Sequence, residues 1–113
     1  MRRLDDLPAA DRQTLVDLRQ RVASELGGRD FRMTLFGSRA RSDADPDSDM
    51  DVLLELEVDS FPLTDKQRLR RIATDVSIEC GIVVSLLVVD RQVMAERGDF
   101  SVFENIREEG IVV

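Results

Sequence analysis

The chain has 113 residues, a formal net charge of −7 and no histidine. The missing histidine excludes Ser-His-Asp and Cys-His catalysis and imidazole-based zinc sites, and the acidic balance argues against broad, sequence-independent binding of nucleic acid. The single cysteine cannot form an internal disulfide, and no apolar run is long enough to cross a membrane. We therefore expect one cytoplasmic domain over residues 1–113 without membrane contact.

Hydrophobic spacing predicts eight elements in the order α–β–α–β–α–β–α–α. Apolar residues recur every three or four positions in the expected helices, and apolar or β-branched residues dominate the expected strands. The predicted helices cover residues 8–26, 38–42, 64–80, 91–97 and 100–109, and the predicted strands cover residues 31–36, 49–56 and 82–89. This order predicts an α/β (α+β) fold, with a mixed sheet and helices packed on one face.

Several helix ends and buried positions are also predicted. Thr64, with Gln67 three residues later, fits a capping box. Asp90 is expected to cap the short helix after it, and Gly98 to end that helix. The segment 82–89 is almost unbroken in apolar residues, so we expect the third strand to be buried on both sides. The inward-facing residues of the last helix are predicted to be Phe100, Phe103 and Ile106.

The turn after the first predicted strand suits a phosphate group. Gly37 has no Cβ, so the backbone can turn sharply and an anion can approach it closely. Ser38 can cap the short helix that follows, which leaves backbone N–H groups and a hydroxyl aimed outward. Arg39 and Arg41 could bind phosphates through paired N–H groups, or they could pair with the acidic loop. The nucleotide-binding residues are therefore predicted to be Gly37, Ser38, Arg39 and Arg41.

Asp49 and Asp51 stand two residues apart at the start of the second predicted strand. The two-residue period of a strand puts both carboxylates on one face, while Val52 and Leu54 point to the other. Two carboxylates on one face repel each other unless a cation lies between them, and hard oxygen ligands suit Mg²⁺ or Mn²⁺. Together with the phosphate turn, this pair predicts phosphoryl or nucleotidyl transfer, with both aspartates as catalytic and metal-binding residues.

These motifs resemble a known superfamily. Gly37-Ser38, ten intervening residues, and then Asp49 and Asp51 in an apolar strand are similar to the nucleotidyltransferases of the DNA polymerase β superfamily. The local run over residues 37–42 looks like the minimal nucleotidyltransferases, a family of small prokaryotic proteins that usually have glycine where Ser42 stands. The resemblance covers nearly the whole chain.

The resemblance implies an activity and a partner. A minimal nucleotidyltransferase would transfer AMP from ATP to a hydroxyl on a protein or small molecule, with Mg²⁺ or Mn²⁺ held by Asp49 and Asp51. Arg39 or Arg41 would neutralise charge on the departing pyrophosphate. Similar short proteins are encoded beside a helical HEPN-domain toxin, a ribonuclease that they neutralise, in some cases by adenylylating it. The resemblance therefore implies a toxin–antitoxin role with a HEPN-type partner.

One position departs from the superfamily pattern. The superfamily normally supplies a third carboxylate from its third strand, and the alternation along residues 82–89 puts Ser85 at that position. Asp90 and Glu79 are alternative donors, although the first lies far along the chain and the second at a helix end. Otherwise Asp49 and Asp51 hold one metal whose shell is completed by the nucleotide phosphates. A third alternative is a protein of little or no catalytic activity that binds nucleotide or neutralises a partner by occlusion.

Overall fold

The structure is a computed structural model that describes residues 2–97 and 100–113. After a 3-10 turn at Leu4–Asp6, the elements follow in the predicted order, with a short strand added at the end. They are α1 (Ala9–Leu26), β1 (Phe31–Phe36), α2 (Ser38–Arg41), β2 (Met50–Leu56), α3 (Leu63–Cys80), β3 (Val84–Val89), α4 (Arg91–Arg97), α5 (Phe100–Glu109) and β4 (Ile111–Val112). The expected helix end at Gly98 and the side chain of Phe100 lie outside the described part.

A four-stranded mixed sheet in the order β3-β2-β1-β4 forms the centre of the fold. Strand β1 runs antiparallel to both of its neighbours, β2 and β4, whereas β2 and β3 are parallel. Strand β4, which pairs with Thr34 and Leu35, is missing from the prediction because two residues are too few to show a hydrophobic period. Within the described ranges, no helix combines the length and the apolar character that a membrane crossing requires.

Hydrophobic clusters lie on both faces of the sheet. The two long helices, α1 and α3, pack on one face against side chains that include Val52 and Leu54 of β2, as the alternation of that strand predicts. On the other face, Leu53 belongs to a smaller cluster with Phe103 and Ile106 of α5, both inward-facing as predicted. The mixed α/β fold class is confirmed. The helices are not confined to one face, however, because α4 and α5 cover part of the second.

The two predicted helix caps have different outcomes. Helix α3 begins at Leu63 with Pro62 at its N-cap and no capping side chain, so the capping box at Thr64 is wrong. The fixed φ of Pro62, −58°, starts the helix one residue earlier than the pattern indicates. The cap at Asp90 is confirmed, because its Oδ1 atom accepts a hydrogen bond from the backbone N–H of Val93 at 2.8 Å.

Strand β3 lies at an edge of the sheet and one of its faces is largely open. Val84 and Val88 are buried on the side of the long helices, but Ser85 is exposed and Leu87 is 41% exposed. The expected burial on both sides is therefore wrong. The smaller cluster covers this face of the strand only at Val89, its last residue.

Candidate active site between the first two strands

The turn after β1 lies directly against the carboxylate of Asp51. Gly37 has φ 77° and ψ −158°, a conformation that is essentially restricted to glycine. A Cβ atom at this position would lie 2.6 Å from the Oδ2 atom of Asp51, so even the smallest side chain would collide with the carboxylate. Glycine is therefore required both for the turn and for the close approach to Asp51.

Helix α2 begins at Ser38, and Gly37 occupies the N-cap position. The predicted capping role of the Ser38 hydroxyl is wrong, because the residue is already helical and this helix start has no side-chain cap. Backbone N–H groups in the first turn of a helix have no acceptor within the helix. The turn and the first residues of α2 therefore still offer donors to an anion.

The two aspartates have different surroundings. Asp51 lies within β2 and is half-buried, with Phe36 of β1 and Ser85 of β3 as its partners across the sheet. Asp49 is exposed and is the last residue of the loop, because β2 begins one residue later than predicted. Burial raises the pKa of Asp51, and the negative charge of Asp49 raises it further. The charge of Asp49 is thus close enough to disfavour the ionised form of Asp51.

The residues present fit a divalent cation. Among the described side chains, no lysine or arginine forms an ion pair with Asp49 or Asp51. Uncompensated carboxylates are costly where one of them is partly buried, and carboxylate oxygens are preferred ligands of Mg²⁺ and Mn²⁺. In the described part of the chain, no group of three or more His, Cys, Asp or Glu side chains could hold a metal. Further ligands would therefore come from phosphate or water.

No third carboxylate joins the pair from the expected positions. Ser85 lies beside Asp51 in the parallel register of β2 and β3, and it is exposed. Asp90 is buried, and its carboxylate caps α4. Glu79 forms an ion pair with Arg21 of α1, on the face of the sheet opposite Asp51. Both alternative donors are therefore engaged elsewhere.

Arg39 does not take the nucleotide-binding role predicted for it. Its side chain is buried, and its Nη1 atom donates to both carboxylate oxygens of Asp11 at 3.1 and 3.2 Å. Its Nε and Nη2 atoms donate to the carbonyl of Ser48 at 3.0 and 2.8 Å, and Nη2 also donates to the carbonyl of Pro46. The prediction is wrong because this guanidinium is buried and all three of its nitrogen atoms already donate to groups of the protein.

Arg41 and Ser42 lie at the other end of α2. Arg41 is exposed, and its Nε atom lies 3.3 Å from the Oδ2 atom of Asp43. This is the pairing with the acidic loop that the sequence allows as an alternative to phosphate binding. Ser42 has φ 64° in the left-handed region, which glycine adopts without strain. Glycine, which the minimal nucleotidyltransferases usually have at this position, is therefore the residue that this backbone conformation favours.

Asp11 is a buried residue near the site that is missing from the predicted site residues. It lies in the first turn of α1 and is 7% exposed. Its spacing from Leu15, Leu18 and Val22 places it on the buried stripe of that helix. A charged residue on an apolar stripe indicates a buried partner of opposite charge. The partner, Arg39, lies 28 residues away and cannot be identified from local spacing.

Two proteins of Methanocaldococcus jannaschii are similar to this chain. One, named "Putative protein adenylyltransferase MJ0604", is 29% identical over 92 residues, which cover 81% of this chain and 86% of that protein. The other, named "Putative protein adenylyltransferase MJ0141", is 37% identical over 62 residues, which cover 55% of this chain and 62% of that protein.

A solved structure and a family model also match this chain. The crystal structure of a protein described as "a putative nucleotidyltransferase from Sulfolobus solfataricus" shares the fold with a TM-score of 0.52 at 18% identity, over 93% of this chain and 86% of that one. The sequence model described as a nucleotidyltransferase domain matches residues 15–109. Because this match spans most of the chain, the protein belongs to the family of nucleotidyltransferase domains.

Proposed function

We propose that the protein is a metal-dependent nucleotidyltransferase that transfers AMP from ATP to a hydroxyl group of a partner protein. The observation that carries this proposal is the close approach of Gly37 to the carboxylate of Asp51, which brings a phosphate-binding turn and a carboxylate pair into one site. The names of the two M. jannaschii relatives support AMP as the transferred group and a protein as the acceptor.

The triphosphate would lie against the turn at Gly37 and the start of α2. Ser38 is the first helical residue, so backbone N–H groups and its hydroxyl can donate hydrogen bonds there. Arg41 is exposed, and an exposed ion pair such as the one with Asp43 contributes little net stability. A phosphate accepts paired hydrogen bonds from arginine, so Arg41 can exchange Asp43 for the substrate.

Asp49 and Asp51 would hold Mg²⁺ or Mn²⁺, and the bound cation would supply positive charge at the phosphates. The protein contributes one carboxylate from strand β2 and one from the end of the loop before it. Asp51 is half-buried beside the turn at Gly37. We propose that it accepts the proton that the attacking hydroxyl loses.

A second candidate function is that of a binding protein with little or no catalytic activity, which neutralises a partner by occlusion. Ser85 beside Asp51 favours this version, because a hydroxyl adds no charge to a site of two carboxylates. In both versions we propose a HEPN-type helical protein as the partner. This proposal is based on the likeness of the Gly37-Ser38 turn and the two aspartates to the minimal nucleotidyltransferases encoded beside such proteins.

Calorimetric titration with Mn²⁺, with and without ATP, tests the site. We expect ATP to strengthen Mn²⁺ binding because two carboxylates leave the coordination shell incomplete. Asp51→Asn should remove most of this coupling, whereas Glu57→Gln, which removes an exposed carboxylate just after β2, should keep it. If Asp51→Asn keeps the full coupling, the metal site lies elsewhere and the proposal fails.

Transfer of label from ATP labelled at the α-phosphate then separates the two functions. The acceptor to be tested is a HEPN-type protein, the partner proposed above. Label on that protein, lost in Asp51→Asn, would support the transferase. A parent protein that couples Mn²⁺ to ATP and binds the partner without labelling it would support the inactive binder.

A further inference from the structure

Asp49 is held in place by the peptide groups on either side of it. The carbonyl of Ser48 accepts hydrogen bonds from the Nε and Nη2 atoms of Arg39 at 3.0 and 2.8 Å. The N–H of Met50 donates to the carbonyl of Val83 at 2.8 Å. Asp49 itself is exposed and precedes the strand. The direction of its side chain therefore depends on these two anchors.

The guanidinium of Arg39 makes five hydrogen bonds and uses all three of its nitrogen atoms. Nε binds the carbonyl of Ser48, Nη1 binds the two carboxylate oxygens of Asp11, and Nη2 binds the carbonyls of Pro46 and Ser48. Arg39 is 8% exposed and Asp11 is 7% exposed. A planar guanidinium presents its donors in a fixed geometry, so α1, α2 and the loop over residues 42–48 are joined rigidly at this point.

Stability alone does not explain a buried ion pair at this position. Desolvation offsets much of the attraction between buried charges, and apolar residues of similar volume are often equally or more stabilising. An apolar pair could not, however, donate hydrogen bonds to the carbonyls of Pro46 and Ser48. Holding the loop is therefore the task for which Arg39 and Asp11 are specifically suited.

We propose that Asp11 and Arg39 are positioning residues that set the orientation of Asp49 for the metal ion. Asp11 orients the guanidinium, and the guanidinium orients the peptide group that joins Ser48 to Asp49. The inference rests on the function proposed above, because it assigns the metal to Asp49. Removal of contacts that orient a metal ligand typically weakens metal binding by about 10- to 100-fold.

Arg39→Lys is the first test. Lysine keeps a positive charge opposite Asp11 but cannot reach the carboxylate and both loop carbonyls at once. We expect the affinity for Mn²⁺ in the presence of ATP to fall about tenfold or more, measured by titration well below the melting temperature. A purely structural role would lower the melting temperature and leave the affinity of the folded protein unchanged.

Arg107→Lys is the matched control for this test. It makes the same substitution in another partly buried ion pair, between Arg107 of α5 and Glu55, which lies near the end of β2 that is away from the loop. We expect it to leave the Mn²⁺ affinity in the presence of ATP unchanged. An equal loss of affinity in both variants would overturn the specific role of Arg39.

The double variant Asp11→Leu with Arg39→Met is the second test. It replaces the charges by apolar side chains and avoids an unpaired buried charge, so we expect a melting temperature close to the parent's. The positioning role requires this folded variant to lose Mn²⁺ affinity as Arg39→Lys does. Parent-like affinity in the double variant would overturn the proposal.

Hydrogen exchange separates a failure of this inference from a failure of the proposed function. A parent protein without ATP-dependent Mn²⁺ binding would refute the metal site, and exchange over residues 43–50 would then decide whether Arg39 holds Asp49. Faster exchange of this segment in Arg39→Lys, with α1 unchanged, supports the contact. Equal exchange in both proteins overturns it.

Discussion

The Nζ atom of Lys66 lies 3.0 Å from the Oδ2 atom of Asp90 in a buried ion pair. Lys66 is the only lysine of the chain. The same carboxylate accepts hydrogen bonds from the backbone N–H groups of Phe61 at 2.9 Å and Val93 at 2.8 Å. Asp90 therefore joins α3 and the connection before it to the start of α4.

Asp90→Asn should destabilise the protein by about 3 kcal/mol, because it leaves the ammonium of Lys66 buried without a partner. Urea unfolding at neutral pH measures this loss. The matched control is Asp59→Asn, which removes an exposed partner of Arg91 and should cost no more than about 0.5 kcal/mol. Equal effects of the two substitutions would contradict a special role for the buried pair.

The same carboxylate predicts a loss of stability in acid. Burial acts to raise the pKa of Asp90, but hydrogen bonds from Val93, Lys66 and Phe61 more than offset it, so the pKa lies below 3.8. The contribution of Asp90 to the free energy of unfolding is present above the pKa that this aspartate has in the unfolded chain. It is lost as the pH falls through the lowered pKa of the folded protein. Asp90→Asn should therefore narrow the stability difference between neutral and strongly acidic solution.

Asp51→Asn should stabilise the metal-free protein at neutral pH. Burial and then the charge of Asp49 raise the pKa of Asp51 above 3.8. The contribution of Asp51 to the free energy of unfolding is fully present below the pKa that this aspartate has in the unfolded chain. It is lost as the pH rises through the raised pKa of the folded protein. The advantage of the asparagine variant should thus appear on raising the pH, in melts with a chelator present. A less stable variant at neutral pH would contradict the pKa shift.

Gly37→Ala should abolish the coupling between Mn²⁺ and ATP. The new methyl group would lie 2.6 Å from the Oδ2 atom of Asp51, and the backbone conformation is strained for alanine by about 1–3 kcal/mol. Gly27→Ala is the control, because Gly27 also has a positive φ but no atom lies within 4 Å of its added Cβ. This control should lower the melting temperature and keep the coupling, which a calorimetric titration of both variants can check.

Ser42→Gly should raise the stability by up to about 0.5 kcal/mol. Ser42 is held at φ 64°, and this left-handed conformation costs a residue with a side chain roughly 1 kcal/mol. Glycine removes this strain, although its greater conformational freedom in the unfolded chain offsets part of the gain in folding free energy. Ser42→Ala, which keeps the strain, should give no such gain. Denaturant unfolding of the two variants side by side tests the difference.

Ser85→Asp should strengthen the binding of Mn²⁺ in the presence of ATP and raise any transferase activity. The new carboxylate would stand beside Asp51 in the register of β2 and β3. Without metal, the added charge should lower the melting temperature, and Mn²⁺ should restore it. Leu87→Asp puts the same charge on the same face two residues further along and should not strengthen binding. Equal metal responses in both variants would contradict the placement of Ser85.

Local patterns predicted the core of the fold. The resemblance to the superfamily, together with the alternation along residues 82–89, predicted that Ser85 lies beside Asp51, and the two residues are in register on parallel strands. The role of Arg39 could not be predicted, because its partner Asp11 lies in another helix and only the tertiary fold brings the two together. The open face of β3 was missed for a similar reason: apolar residues alone do not reveal whether a strand lies at an edge.

The larger hydrophobic cluster and the candidate active site lie on opposite faces of the sheet. Ser85 and Leu87 are exposed beside Asp51 and contribute little to that cluster, and substitutions at exposed positions usually change stability only slightly. Related proteins could therefore differ at these residues, and so in the surface beside Asp51, while the folding free energy stays nearly constant. In such a fold the open face of β3 can diverge much faster than the buried face that holds the helices.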